Sequence, residues 1–330
     1  MTGNAVSMVL ASISFVLTVI WGGPLIRILR RLEIGDSIRI EAPDRHITKV
    51  GTPTMGGVMF ILPVFLVTIL LNAVPLIGLS GVGRSILVPL AAMLGFALLG
   101  GVDDWRKLSQ RQLGEGMRAR TKFLLQIILA AATAYALRDV LNVPHLLLPG
   151  LNIEFDLGFW FFPIAIFIIV GSANAVNFTD GLDGLAGLIA ATAFAAFGGI
   201  ALLQGQSFLA QFCFTLVGAL FGFLWFNVFP AQLIMGDTGA MALGATLGVV
   251  ALMTGHWILL PLIAIIPVSE ILSVILQVTF FRYTGGRRIL KMSPIHLHFE
   301  LSGWSETQIV LRFWLIGLLF AMVGVAMAVV

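Results

Sequence analysis

Five aspartates carry the first chemical signal in this chain. Asp103 and Asp104 are adjacent in DDWRK, Asp180 and Asp183 share NFTDGLDG, and Asp237 opens into DTGAMALG. Hard carboxylate oxygens gathered in a partly hydrated pocket favour Mg²⁺ or Mn²⁺, and Mg²⁺ takes one or two carboxylates together with substrate phosphates. Asn174, Asn177, Asp180 and Asp183 recur at intervals of three, which on a helix makes a slowly drifting polar stripe. In an apolar span such a stripe is expected to face a cavity. The competing reading is that Asn and Asp hold helices together while Gly181, Gly184 and Gly187 let them pack closely. Asp237, followed by Thr238 and Gly239, also reads as a helix N-cap, and a helix start attracts phosphate.

His296 and His298 lie two apart after Pro294, a spacing that puts both rings on one side of an extended segment. Zinc is disfavoured for them, because there is no HExxH and the single cysteine, Cys213, is far away in sequence. Phosphate contact or proton transfer fits better beside Arg287, Arg288 and Lys291; the plainer alternative is a basic loop at anionic lipid heads. GTPTMGG at 51–57 lacks the GxxxxGK[ST] of a P-loop and reads as a rigid turn with open backbone amides.

The elements that must position these groups are membrane helices. At 59% hydrophobic and 11% charged residues, the chain has too little polar surface to cover a water-soluble globule. A ~30 Å hydrocarbon core at about 1.5 Å rise per residue needs about 20 apolar residues. Stretches near 5–27, 56–79, 85–101, 121–138, 159–176, 185–204, 208–229, 237–254, 257–281 and 308–330 meet that need, predicting an all-α polytopic protein of about ten transmembrane helices in one domain, 1–330. No cleavable signal peptide is expected, since the first stretch is long and runs into Arg27, Arg30 and Arg31. All Lys and Arg except Arg84 and Arg138 fall in segments 27–49, 106–122 and 282–312, which the positive-inside rule makes cytoplasmic, so both termini are expected outside. Residues 150–158 alternate enough for a short extracytoplasmic β-hairpin. On this topology all five aspartates share one membrane face. Asp103 and Asp104 end a helix whose dipole disfavours negative charge there, so Lys107, Lys122 or a divalent cation is expected beside them. The ninth stretch carries Pro261 and Pro267 and is expected to bend; Glu270 within it reads first as a structural partner of a neighbouring helix.

Taken together, DDWRK, NAVNFTDGLDGLA, MGDTGAMALG and PIHLHFE resemble the signatures of the polyprenyl-phosphate N-acetylhexosamine-1-phosphate transferases. GTPTMGG, GMRARTKFLLQ and GWSETQIVLRFW resemble the phospho-N-acetylmuramoyl-pentapeptide transferase branch, and the likeness runs from about residue 36 to the end. The resemblance implies a multi-pass enzyme of the bacterial inner membrane, with a cytoplasmic active site and usually homodimeric. It also implies the substrates UDP-N-acetylmuramoyl-pentapeptide and undecaprenyl phosphate, the products lipid I and UMP, the cofactor Mg²⁺ and no nucleic-acid partner. By matching motif positions it makes Asp103, Asp104, Asp237 and His296 catalytic, with Asp237, Asp103 and Asp104 as metal ligands. It makes Lys49, Thr52, Lys107, Lys122, Asn177, Asp180, Gly181, Leu182, Asp183, Asn227, Gly236 and His298 substrate-binding. Two positions depart from the family pattern: Leu297 replaces the middle of three histidines, and Ile234 stands where an aromatic commonly stacks on uracil.

The implied chemistry is attack by a lipid phosphate on the sugar-bearing phosphorus of a UDP-sugar. A phosphate monoester with a second pKa near 6 is already mostly dianionic at neutral pH, so no strong general base is demanded, and direct attack is favoured over a route through an aspartyl-phosphate because both phosphates can bind together on a broad cytoplasmic face. A sister transferase using UDP-GlcNAc is the nearest alternative. An ion-coupled transporter is a further one, disfavoured because its acids would sit at mid-membrane among inverted repeats.

Overall fold

The computed structural model describes residues 3–32, 34, 51–74, 85–109, 116–143, 145–149 and 153–329. Apolar runs without a polar face form helices hydrophobic all round, suited to lipid or to the centre of a bundle. In chain order these are α1 (Gly3–Arg31), α2 (Gly57–Val74), α3 (Leu87–Ser109), α4 (Ala119–Tyr135), α5 (Phe161–Thr179), α6 (Leu185–Leu203) and α7 (Ser207–Asn227). They continue with α8 (Gly236–Met253), the short α9 (Leu260–Ile263), α10 (Ile265–Tyr283), the short α11 (Ile295–Glu300) and α12 (Glu306–Val329). Among the described residues nine of these are long and apolar enough to cross a membrane, and α2 is an additional, shorter apolar helix.

The centre of the bundle is α8, where every residue from Thr238 to Met253 is buried. It packs against α3 and α5, and less extensively against α2 and α6, while α1 lies along α7 and α12 along α6. Small residues make this proximity possible. A methyl group added to Gly100 of α3 would stand 2.2 Å from the Asp237 carbonyl oxygen, and one added to Gly244 of α8 would stand 2.2 Å from the Ser172 carbonyl oxygen. Larger apolar side chains fill the remaining space; Phe60 of α2 meets Phe223 of α7 edge to face at 5.5 Å. The outer helices leave Leu272, Ile275, Leu276, Leu315 and Leu319 exposed, as lipid-facing positions require.

Two predicted elements differ in detail. The ninth stretch is not one helix: α9 ends at Ile263, Ala264 leaves helical geometry at φ −104° and ψ 39°, and α10 starts at Ile265. Pro267 has no N–H to offer the Ile263 carbonyl four residues back, so the break falls one turn before it. The hairpin is present, with β1 (His145–Leu148) antiparallel to β2 (Ile153–Asp156), and starts earlier than expected. The Leu147 N–H donates to the Gly255 carbonyl at 3.0 Å, tying the hairpin to the turn after α8.

Close approach at Gly100 makes a clear prediction. Gly100→Ala drives a methyl into the α8 backbone and is expected to cost about 1–3 kcal/mol, read as a lowered thermal midpoint in detergent. Gly101→Ala, whose methyl meets nothing nearer than 3.6 Å, is expected to be neutral or slightly stabilising.

Candidate active site

The site is built outward from the first turn of α8. A helix start leaves N–H groups without intrahelical partners, and α8 has no side-chain cap of its own. Asp104, from the last turns of α3, supplies one: Oδ1 accepts the Asp237 N–H at 3.1 Å, and Oδ2 accepts the Thr238 N–H at 2.9 Å and the Thr238 hydroxyl at 2.7 Å. Asp237 is therefore not the cap that its place before Thr238 suggested. With that role taken by Asp104, the Asp237 carboxylate turns outward.

It meets two ammoniums. Asp237 Oδ2 accepts from Lys107 Nζ at 2.8 Å and from Lys122 Nζ, while Oδ1 accepts from Asn177 Nδ2 at 2.7 Å. The same lysines serve Asp103, whose Oδ2 lies 3.2 Å from Lys107 Nζ and 3.0 Å from Lys122 Nζ; its Oδ1 accepts the Met117 N–H. Lys107 is one helical turn from Asp103 on α3, and Lys122 comes from the first turn of α4. Of the positive groups expected beside the α3 carboxylates, both lysines are in place. These groups open on a cavity of about 700 Å³ lined by Asp103, Lys107, Lys122, Asn174, Asn177 and Asp237, together with Arg120, Phe123, Gln126 and Phe178.

The polar stripe of α5 ends sooner than its spacing suggested. The helix stops at Thr179, and Asp180 leaves it at φ −78° and ψ 55°, so Asp180 and Asp183 sit in a turn rather than on a helix face. Gly184, at φ +83°, lets the chain enter α6. Asp180 Oδ2 accepts the Gly236 N–H at 3.1 Å, Asp183 Oδ2 accepts the Ala231 N–H at 3.0 Å, and Asn227 Oδ1 accepts the Gly184 N–H at 3.1 Å. Asn174 is a helix-pairing residue, donating to Gln126 Oε1 at 2.8 Å. Burial raises the Asp180 carboxyl, the Asp237 and Asp104 carboxylates add to it, and together they push it up to about 8.

The two histidines part company. Residues 295–300 are helical, and on a helix positions two apart face nearly opposite ways, so the expectation of two rings on one side fails. His296 is buried, with Nδ1 3.0 Å from Glu270 Oε2, and Nε2 lies so near Gly181 that an added Cβ would overlap it. Glu270 is thus a partner of His296, bridging α10 and α11. His298 faces the loop, accepting the Lys291 N–H on Nδ1 at 3.1 Å. Neither ring lines the cavity, and nor do Asp104 and Asp180.

Segment 51–57 pairs with the chain entering α8: the Gly56 N–H donates to the Ile234 carbonyl at 2.9 Å, and the Ile234 N–H donates to the Pro53 carbonyl at 2.8 Å. Thr52 is half-buried on this segment, and Lys49 lies outside the described residues. Sequence reasoning passed over Gln126, although its place one turn after Lys122 marks the same face of α4. For Glu270 the reading as a structural partner of a neighbouring element, preferred over a functional one, fits its pairing with His296, a partner to which nothing local in the sequence points.

A family model described as glycosyl transferase family 4 matches residues 86–255, and the phospho-N-acetylmuramoyl-pentapeptide-transferase signature 1 matches residues 49–61. The chain is 46% identical to the phospho-N-acetylmuramoyl-pentapeptide-transferase of Chloroflexus aurantiacus, over 98% of this chain and 90% of that one. It is 43% identical to the transferase of that name from Geobacillus thermodenitrificans, over 95% of each chain. For the one from Bacillus subtilis, identity is 44% over 94% of each chain.

The raised Asp180 carboxyl gives stability a pH dependence of definite sign. The folded chain holds this proton up to about 8, whereas an unfolded aspartate releases it near 3.8, so stability is lost as pH rises between those values. Asp180→Asn keeps an oxygen for the Gly236 N–H and removes the charge. Its thermal midpoint is expected to exceed that of the parent by a margin that widens as pH is raised from about 5 to about 8.

Proposed function

The chain belongs to the phospho-N-acetylmuramoyl-pentapeptide-transferase family, and from that premise we propose how it works. It transfers phospho-N-acetylmuramoyl-pentapeptide from its UDP conjugate to undecaprenyl phosphate, giving lipid I and UMP, the first membrane step of peptidoglycan synthesis. It does so as a single membrane domain in the bacterial inner membrane, with both termini outside and the reaction on the cytoplasmic face. The concentration of Lys and Arg in segments 27–49, 106–122 and 282–312 supports that orientation; the resemblance to the family supports a homodimer.

One observation carries the reading of the site: Asp103, Lys107, Lys122, Asn177 and Asp237, from four helices, converge on one cavity. In the reaction an oxygen of the lipid phosphate bonds to the sugar-bearing phosphorus. The bond from that phosphorus to the UMP oxygen breaks, and UMP leaves with the electron pair. Crowded anionic charge is the main obstacle. Lys107 and Lys122 bring two ammoniums to the place where the phosphates must meet, and hold them in a site partly shielded from water. Every oxygen of Asp103, Asp104 and Asp237 already accepts a hydrogen bond or ion pair. A lipid phosphate that is already mostly dianionic near neutral pH needs no activating base, which supports direct attack by it over a covalent aspartyl intermediate. Asp104 serves by holding the start of α8 and so the outward turn of Asp237. The turn 180–184 with Asn227 holds the nucleoside, and His296 braces that turn at Gly181.

The donor chemistry fits Mg²⁺. Asp237 and Asp103 offer hard oxygens at the cavity, and Mg²⁺ needs only one or two carboxylates when substrate phosphates complete its shell. These two residues would hold it, and there it would neutralise developing charge on the pyrophosphate. Asp104, whose oxygens face the α8 amides, is assigned to positioning rather than to the metal.

The test is transfer to undecaprenyl phosphate by detergent-purified protein, offered UDP-N-acetylmuramoyl-pentapeptide or UDP-GlcNAc, with Mg²⁺ or with a chelator. Lipid I and UMP are expected from the first donor only. Chelation is expected to abolish them, and Asp237→Asn to lower the rate by about 10²–10³-fold, the range for losing one preorganised electrostatic contact. Product from UDP-GlcNAc alone would move the chain to the sister specificity.

A further inference from the structure

We infer that Glu306 is a positioning residue for the nucleoside-binding turn, acting from the first turn of α12 on the backbone of Asp183. The inference rests on the reading of turn 180–184 given above. Glu306 Oε1 accepts the Asp183 N–H at 2.7 Å, across 123 residues of chain. A hydrogen bond to an ionised acceptor is shorter and stronger than a neutral one, and this distance falls in that range.

The ordinary explanation of a glutamate at a helix start is stabilisation of that helix. Here the capping is done by other residues. Ser305 Oγ accepts the Gln308 N–H at 3.3 Å and Gln308 Oε1 accepts the Ser305 N–H at 3.1 Å, the reciprocal pair of a capping box. Trp304, just before it, is fixed by Phe299 at 4.6 Å between ring centroids and by the Arg312 guanidinium at 4.2 Å. The start of α12 is therefore a rigid platform, and the Glu306 carboxylate reaches across to another element.

What it reaches is a turn two of whose amides are satisfied by side chains from distant segments. The Gly184 N–H goes to Asn227 at the end of α7, and the Asp183 N–H goes to Glu306. The Asp183 carboxylate in turn accepts the Ala231 N–H, which orients its second oxygen. His296 presses on Gly181 in the same turn. The stretch from His296 to Glu306 thus clasps the turn at two points, and Glu306 is the one that sets the Asp183 backbone.

The discriminating experiment compares Glu306→Gln, Glu306→Asp, Glu306→Ala and Ser305→Ala in the full-length protein. Readouts are the KM for each substrate, kcat, the Kd for UMP and the thermal midpoint. Glutamine keeps the acceptor oxygen without the charge, and aspartate keeps the charge but is too short to reach. Glu306→Ala and Glu306→Asp are expected to raise the UDP-donor KM and the UMP Kd roughly tenfold or more, as loss of a charge-assisted hydrogen bond does. The KM for undecaprenyl phosphate and kcat should stay within about threefold. Glu306→Gln should fall between the parent and Glu306→Ala, because it keeps the hydrogen bond but loses the charge that strengthens it. Ser305→Ala should lower the thermal midpoint and leave UMP affinity unchanged. Rescue by aspartate but not glutamine would overturn the inference, as would parental UMP affinity in a folded Glu306→Ala protein. Failure of the parent itself to bind UMP would instead sink the reading of the turn.

Discussion

The site depends on one contact, the carboxylate of Asp104 on the first N–H groups of α8. The helix is enclosed by α2, α3, α5 and α6, so its leading amides have little water to turn to, and an unmet amide in such surroundings costs several kcal/mol. Asp104 meets two of them and the Thr238 hydroxyl, and places negative charge at the positive end of the helix dipole. Two consequences follow. The α3–α8 distance is set by a hydrogen-bonded junction as well as by packing at Gly100, and Asp237 is released from capping to face the lysines. A carboxylate at the end of α3, unfavourable for its own helix, is thereby favourable for the next.

Much of this arrangement was legible because it follows from composition and short spacings. Apolar runs longer than the bilayer needs become spans, and Lys107 lies one turn beyond Asp103 and therefore beside it. What could not be read was set by distant partners. Asp104 and Asp103 are identical neighbours in sequence, yet Asp104 caps α8 with Lys107 Nζ no nearer than 3.7 Å, while Asp103 meets Lys107 and Lys122 at 3.2 and 3.0 Å, because helix α3 points them in different directions. The interval of three from Asn174 to Asp183 continues past Thr179 without a break in pattern, but Asp180 and Asp183 find backbone amides at Gly236 and Ala231 that a helix would deny them. The histidines misled in the same way: two residues apart means one side of a strand and opposite sides of a helix, and only the folded loop decides which.

The membrane explains why backbone amides recur as partners. Asp103, Asp104, Asp180, Asp183 and Glu306 each accept an N–H from a different segment. At a membrane boundary, loops cannot rely on water to satisfy their amides, and acids that would be costly there alone become the means of holding loops in place. One set of carboxylates thus both builds the rim of the cavity and shapes the turn that receives the nucleoside on the proposed reading.

The charge balance of the cluster bears on how it accepts an anionic substrate. Asp103, Asp104 and Asp237 oppose two ammoniums and the roughly half-unit positive end of α8. The cluster is close to neutral, as a largely buried site must be. Phosphates entering the cavity compete with Asp103 and Asp237 for the same two lysines, which cannot serve both at full strength. On the proposed reading, Arg120 in the cavity lining and a Mg²⁺ held by the hard oxygens of Asp237 and Asp103 would supply the compensating positive charge. On that reading a cluster satisfied in isolation is compatible with phosphoryl transfer, because an entering phosphate and its cation would redistribute partners the site already holds.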